Sequence, residues 1–242
     1  MNAAWRTWIG VLLWAAPAFA LFAAGVLLDT QHGAAYLDTI EHAVGEIELD
    51  QALALDRAGF SGEAKIAYVH ALDAEFAGMQ NRAFALKELG ELCLNDGSPQ
   101  EAVLYFAASL DTGRAPISVY KYYVEALFTL GQHMQAVPII EQWRTAAEAA
   151  SHKLELSRAH EYAGRIALLR HDEQRAEDEF TAGNAALPGR GNALALARIA
   201  HERGENQIAL ERLNEVFLTG PEPENLEEAL ALRQQLLGAA SM

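Results

Sequence analysis

Cysteine occurs once in 242 residues, at Cys93, so no intrachain disulfide can form and the small disulfide-scaffold class is excluded. Positive charge is scarce as well. Lys and Arg number 18 against 33 Asp and Glu, a formal net charge of -15, and only Lys65, Lys87, Lys121 and Lys153 are lysines. An acidic surface does not neutralise phosphates, which argues against nucleic-acid binding; acidity of this kind acts mainly as a solubility device. Runs rich in Val, Ile and Thr with two-residue alternation are missing, so strands are not expected.

Catalytic and metal motifs are also lacking. The eight histidines (His32, His42, His70, His133, His152, His160, His171 and His201) form no His-Glu-x-x-His unit, and none lies at zinc spacing from Cys93. Each reads as a surface or turn residue. No Gly-x-Ser-x-Gly, Walker-type or paired-cysteine motif occurs, and Gly189-Arg190-Gly191 follows no strand. The carboxylates read as solvent-facing. No enzyme activity and no cofactor is expected.

One long uncharged run is present. From Trp8 to Leu28 no charged residue appears, and at about 1.5 Å per residue the run spans roughly 30 Å, the thickness of a bilayer core. Arg6 precedes it, whereas Asp29, Asp38, Glu41 and Glu46 follow before the next basic residue, Arg57. The positive-inside tendency then keeps the N-terminus cytoplasmic and exports the remainder. Ala18-Phe19-Ala20 also fits a small-x-small cleavage site, so a cleaved signal peptide, leaving a secreted soluble domain, stands beside a retained single-pass anchor over residues 1–29. Both readings export the domain. The alanine-rich, lysine-poor composition fits a bacterium, which places the anchor in the inner membrane and the domain in the periplasm.

Beyond the polar joint Thr30-Gln31-His32-Gly33, apolar residues recur at three- and four-residue spacing. Tyr36, Leu37, Ile40, Val44, Ile47 and Leu55 carry the first such stretch, with only Gly45 interrupting. The domain is therefore all-α. Turn residues Gly59, Gly97, Gly131, His171 and Gly204 divide it, 38, 34, 40 and 33 residues apart. Five residues after each stands an alanine: Ala64, Ala102, Ala136, Ala176 and Ala209. Four further on comes a large apolar residue: Tyr68, Phe106, Ile140, Phe180 and Leu213. Seven before each turn is a small residue, Ala52, Gly90, Gly164 and Ala197, with Val124 the exception. Alanine makes up about a fifth of the chain, so five in register arise by chance about once in three thousand trials. Small side chains let two antiparallel helices approach closely, and the bulky residue fills the space beside them. Pro188 and Pro221 follow the last two turns by seventeen residues, where a second helix should stop.

These units resemble tetratricopeptide repeats, the 34-residue helix-turn-helix family. The clearest copy is Leu86-Lys87-Glu88-Leu89-Gly90, then Asn95-Asp96-Gly97-Ser98-Pro99-Gln100-Glu101-Ala102 and Tyr105-Phe106. The resemblance covers about Ile47 to Pro221. The family's usual early tryptophan is absent, and His171 stands where a turn glycine is usual. What the resemblance implies is a right-handed superhelical stack of about five hairpins over residues 34–221, with residues 222–238 as a capping helix.

The resemblance further implies a protein-binding scaffold whose first helices line a concave groove. Exposed positions of those helices fall at Lys87, Glu91, Lys121, Glu125, Phe128, Arg158, Glu161, Arg165, Arg198 and His201. Lys87 and Lys121 hold the same place in consecutive repeats, so the groove reads as locally basic, suited to an acidic segment or a C-terminal carboxylate. The alternative is an ordinary solvated face in which Lys87–Glu91 and Lys121–Glu125 pair within their own helices. Glu91 and Glu125 also stand where amides would serve a lysine-asparagine clamp. The partners expected are one or more membrane-associated proteins, with the chain assisting assembly of an envelope complex or serving as its permanent structural subunit. Oligomeric state is left open.

Overall fold

The computed structural model describes residues 30–220, apart from 75 and 77, and 223–239. Eleven helices and no strand occur among them. They are α1 (Thr30–Arg57), α2 (Ser61–Asp73), α3 (Met79–Asn95), α4 (Pro99–Asp111), α5 (Ser118–Thr129), α6 (His133–Ala149), α7 (Lys153–Leu169), α8 (Glu173–Ala186), α9 (Arg190–Glu202), α10 (Asn206–Thr219) and α11 (Pro223–Ala239). Each odd helix packs against the even helix that follows it, and each hairpin packs on the next. Helix α11 lies on both α9 and α10. The segment expected to span a membrane, Trp8 to Leu28, lies outside the described residues. Among those described, no helix is long and apolar enough to cross a membrane.

The five expected turns all stand at positive φ: Gly59, Gly97, Gly131, His171 and Gly204. At Gly97 the reason is explicit. With φ 77°, the chain reverses so that the Ser98 N–H donates to the Cys93 carbonyl (2.8 Å) and the Gly97 N–H to that of Leu94 (3.1 Å). Two carbonyls left open by the end of α3 are thereby satisfied. His171 adopts the same geometry at φ 59°, with the Asp172 N–H bound to the Ala167 carbonyl at 3.0 Å. A side chain in that conformation costs on the order of 1 kcal/mol. His171→Gly is therefore expected to raise the unfolding free energy by up to about 1 kcal/mol in urea titration. A decrease would mean that the imidazole makes a stabilising contact at the turn.

Packing follows the expected register. Ala64, Ala102, Ala136, Ala176 and Ala209 are fully buried, and so are Tyr68, Phe106, Phe180 and Leu213, with Ile140 nearly so. The bulky residues rest on the small ones seven before each turn. A methyl added at Gly90 would lie 2.5 Å from the Phe106 ring, and one at Gly164 would lie 2.6 Å from that of Phe180. Where Val124 replaces the small residue, Ile140 replaces the ring within the same cluster. Volume is conserved across the pair, which explains the one exception in the pattern.

The unequal spacings have separate causes. The 38-residue interval comes from α3, 17 residues long against the 12 of α5 in the 34-residue interval, while the 40-residue interval comes from α6 and α7, each 17 residues long. Two expectations need correction. Thr30 to Gly33 is helical, continuous with α1, so the joint is not an irregular break at the glycine. Carboxylates are not all solvent-facing. Glu155 is 4% exposed and accepts the Trp143 Nε1–H at 3.0 Å, joining α7 to α6. The buried Asn192 ties α9 to α7 in the same way, its amide donating to the Ser157 carbonyl (3.0 Å) and hydroxyl (2.9 Å). Burying an unbonded donor is costly, so the Trp143 and Asn192 N–H bonds favour one way of stacking the hairpins. His160, expected on the surface, is partly buried with its Nδ1 2.8 Å from Glu179.

Candidate protein-binding groove

The odd helices form one face of the stack, with α3, α5, α7 and α9 in successive contact. Along this face α5, α7, α9 and α11 enclose an open hollow of about 350 Å³. Its wall follows from helical spacing. Lys121 and Glu125 are one turn apart on α5; Arg158, Glu161 and Arg165 lie three and four residues apart on α7; Arg198 follows on α9. These six are the sequence-derived positions that the fold brings together.

The other four lie elsewhere. Phe128 sits behind the wall, its ring 5.0 Å from the Arg165 guanidinium and edge-on to Tyr162 at 5.2 Å. Lys87 and Glu91 are one repeat nearer the N-terminus and do not line the hollow. They pair with each other, and Lys87 also binds Glu88 at 2.8 Å. Burial alone would lower the Lys87 pKa, but the hydrogen bonds to Glu88 and Glu91 outweigh it and hold the ammonium charged. The Lys87 nitrogen also lies 5.5 Å from the Tyr122 ring centroid. His201 turns aside, its Nδ1 3.2 Å from Asn206 Oδ1 at the start of α10.

Electrostatically the hollow is balanced, which corrects the expectation of a basic groove. Lys121, Arg158, Arg165 and Arg198 share its wall with Glu125, Glu161, Glu202 and Glu228. Lys121 is 3.5 Å from Glu125, Arg158 is 3.1 Å from the buried Glu155, and Arg198 is 3.0 Å from Glu228 on α11. Arg165 differs. Its residue is exposed, and among the described residues no carboxylate stands within ion-pair distance of it. It is held instead by ring faces, 5.0 Å from Phe128 and 4.8 Å from Tyr162. The two ring faces attract the cation, and among the described residues its N–H groups make no ion pair. On a chain of formal charge -15, a charge-balanced wall carrying a guanidinium without an ion-pair carboxylate repels an anionic group less than an acidic surface does.

Tyr162 completes the arrangement and was not among the sequence-derived positions. It is 8% exposed, and its hydroxyl donates to Glu125 Oε1 at 3.1 Å. Burial pushes its phenol pKa upward, so the proton stays in place. The signal was present in the sequence: Tyr122 and Tyr162 each stand nine residues before their turns. Asn225 and Glu228 were missed because they belong to α11, which closes the end of the hollow as well as capping the core. Cys93, 2% exposed, is core; burial raises its thiol pKa, which keeps it from acting as a ready nucleophile. Among the described residues no group of three His, Cys, Asp or Glu is placed to hold a metal ion.

No protein-family model matches the chain, and no curated protein matches it. Solved structures do. PilF of Pseudomonas aeruginosa superposes with a TM-score of 0.65 at 16% identity, covering 83% of this chain and 86% of that one. A thermophilic TPR protein of Thermus thermophilus gives 0.53 at 17% identity, over 82% and 100%. YrrB, described as a TPR protein with an unusual peptide-binding site, gives 0.53 at 16%, over 81% and 91%. At such identities the likeness concerns the fold: the chain has the fold of tetratricopeptide repeat proteins.

Proposed function

We propose that this protein is a scaffold that holds a segment of a partner protein in the hollow between α5, α7, α9 and α11, with Arg165 taking an anionic group of that segment. The observation that carries the reading is the exposed Arg165, its guanidinium 5.0 and 4.8 Å from the Phe128 and Tyr162 rings and lacking an ion-pair carboxylate among the described residues. An Arg held in place before binding is a common anchor in protein recognition, because less side-chain freedom is left to lose on binding. The occupant is an acidic side chain or a chain-terminal carboxylate, presented bidentately to the fork.

The uncharged run Trp8 to Leu28 supports membrane tethering, with the repeats on the exported side of a bacterial inner membrane. A tether raises the effective concentration of groove and membrane-borne partner without adding a contact. Assembly or stabilisation of an envelope complex is the role that fits both features.

Two measurements test this reading. A photo-crosslinking residue placed at Arg198, on the groove wall, should yield a discrete adduct in native membranes; the same residue at Leu104, 69% exposed on α4, should not. Equal labelling at both sites would remove the groove from the account. Protease added outside spheroplasts should digest the repeats, and the chain should stay with the membrane through carbonate extraction. Full protection of the repeats, or release into the wash, would overturn the topology.

A further inference from the structure

Among the described residues the stack is covered at its C-terminal end and uncovered at its N-terminal end. At the C-terminal end, Ala229, Leu232 and Leu236 of α11 bury the apolar faces of α9 and α10. Among the described residues nothing does the same for α1. The repeat register shows what is left uncovered. Twelve residues before each later turn stand Ala85, Val119, Ala159 and Asn192, all fully buried. The equivalent residue in the first repeat is Ile47, 53% exposed. Five before each later turn, Leu92, Ala126, Ile166 and Ile199 are buried, whereas the equivalent Ala54 is exposed. Later repeats bury these positions within the stack; among the described residues no hairpin lies ahead of the first repeat.

The exposed residues form a seam of a particular kind. Val44 (45% exposed), Ile47, Gln51 and Ala54 are spaced three, four and three, and the sequence carries the same alternation back through Ile40 to Leu37. That is the a/d spacing of a coiled coil over about two and a half heptads. Gly45, Leu49 and Ala52, all buried, fall on the other side of α1, the side α2 occupies. Helix α1 thus has two faces, one packed within the chain and one that no described residue covers.

We infer that the unused face pairs with α1 of a second copy of this chain, in parallel. The seam is self-complementary, since each heptad layer meets its own equivalent. Charge favours the parallel sense: residues flanking the seam then meet as Ala43 with Glu48 and Asp50 with Leu55, so no like charges oppose. An antiparallel pair would set Glu48 and Glu41 of one copy against the same residues of the other, which is repulsive. Gln51, at an a position, can hydrogen-bond its counterpart and so fix the register. The seam is short, so the pairing is weak for free chains and becomes substantial only where chains are concentrated. Both grooves, on helices remote from α1, stay open in the dimer.

Cys93 is buried and single, so one introduced thiol reports on this interface. In membranes carrying the full chain, Val44→Cys should form a disulfide-linked dimer under mild oxidation. Ile66→Cys, 60% exposed on α2, should give at most one tenth of that yield. Adding Ile47→Glu to Val44→Cys should reduce the linked dimer at least tenfold without changing the helical circular dichroism of the purified chain. Absence of a Val44→Cys dimer would overturn the pairing. So would an equal yield at Ile66→Cys, survival of the dimer in the Ile47→Glu background, or a Val44→Cys link to some other protein. None of these outcomes bears on Arg165, so the dimer and the groove stand or fall separately.

Discussion

Gly164→Leu is expected to lower the unfolding free energy by about 3 kcal/mol or more, the upper end of overpacking costs. The first added carbon would already lie 2.6 Å from the Phe180 ring, closer than packed carbons come. The ring has little room to withdraw. It is fully buried among Ala167, Ala176, Leu196 and Ile199, drawn from α7, α8 and α9. Phe180→Ala alone should cost about 3–5 kcal/mol by leaving a cavity. The double variant should be more stable than the sum of the two losses implies, by at least about 1 kcal/mol, because the leucine then fills the space the ring vacated. Strictly additive losses in urea titration would mean that Gly164 and Phe180 do not share that space, and the register that underlies the stack would be wrong. Because each hairpin touches chiefly its neighbours, damage at α7 and α8 should also broaden the transition, the C-terminal hairpin and the first hairpins melting apart.

The same pair shows why the architecture was legible in the sequence. A hairpin of two antiparallel helices imposes a fixed offset between the residue that must be small and the residue that fills the space, and the turn between them demands positive φ. These are local constraints, so they repeat at every hairpin and can be found by counting from the turns. His171 was found although it is not a glycine, because the alanine and the phenylalanine after it kept their places. What could not be counted were groups whose partners lie at no fixed offset. Glu155 looks like any helical carboxylate until Trp143 is placed against it from the neighbouring helix. Asn192 falls on the position where the second, third and fourth repeats carry alanine or valine, and only the fold supplies Ser157. The groove was half legible for the same reason. Positions on one helix face were assigned from spacing, but whether a cation is spent or available depends on its surroundings. Lys87 holds two glutamates of its own helix, whereas Arg165 is held by Phe128 and by Tyr162 of its own helix.

That distinction gives the largest functional effect expected. Arg165→Glu should weaken partner capture by at least 30-fold, about 2 kcal/mol or more at 25 °C, since it removes the open fork and places a carboxylate where an anionic group is to bind. Lys87→Glu, at the lysine that already serves its own helix, should change capture less than threefold. Arg165→Lys separates charge from geometry. If the fork and its stacking on Phe128 and Tyr162 matter, lysine should restore only a small part of the loss, because an ammonium neither stacks as a plane nor binds a carboxylate bidentately. Full restoration by lysine would reduce Arg165 to a point charge and make the aromatic support incidental. Phe128→Leu supplies the complementary test. It leaves the guanidinium in place but removes one of its two rings, so it should weaken capture by roughly three- to tenfold, in line with about 1 kcal/mol for a partly desolvated cation–π contact. Each variant is read by the yield of the Arg198-position adduct in membranes, with melting of the purified chain as the control. Arg165 is exposed and its folded-state contacts are the two ring faces, so its substitutions should cost no more than about 1–2 kcal/mol of stability. Loss of capture in a chain that still melts normally is then a statement about recognition. If Arg165→Glu captured the partner as well as the parent does, the anionic group would have to be received elsewhere, and the hollow between α5, α7, α9 and α11 would lose its claim to be the binding site.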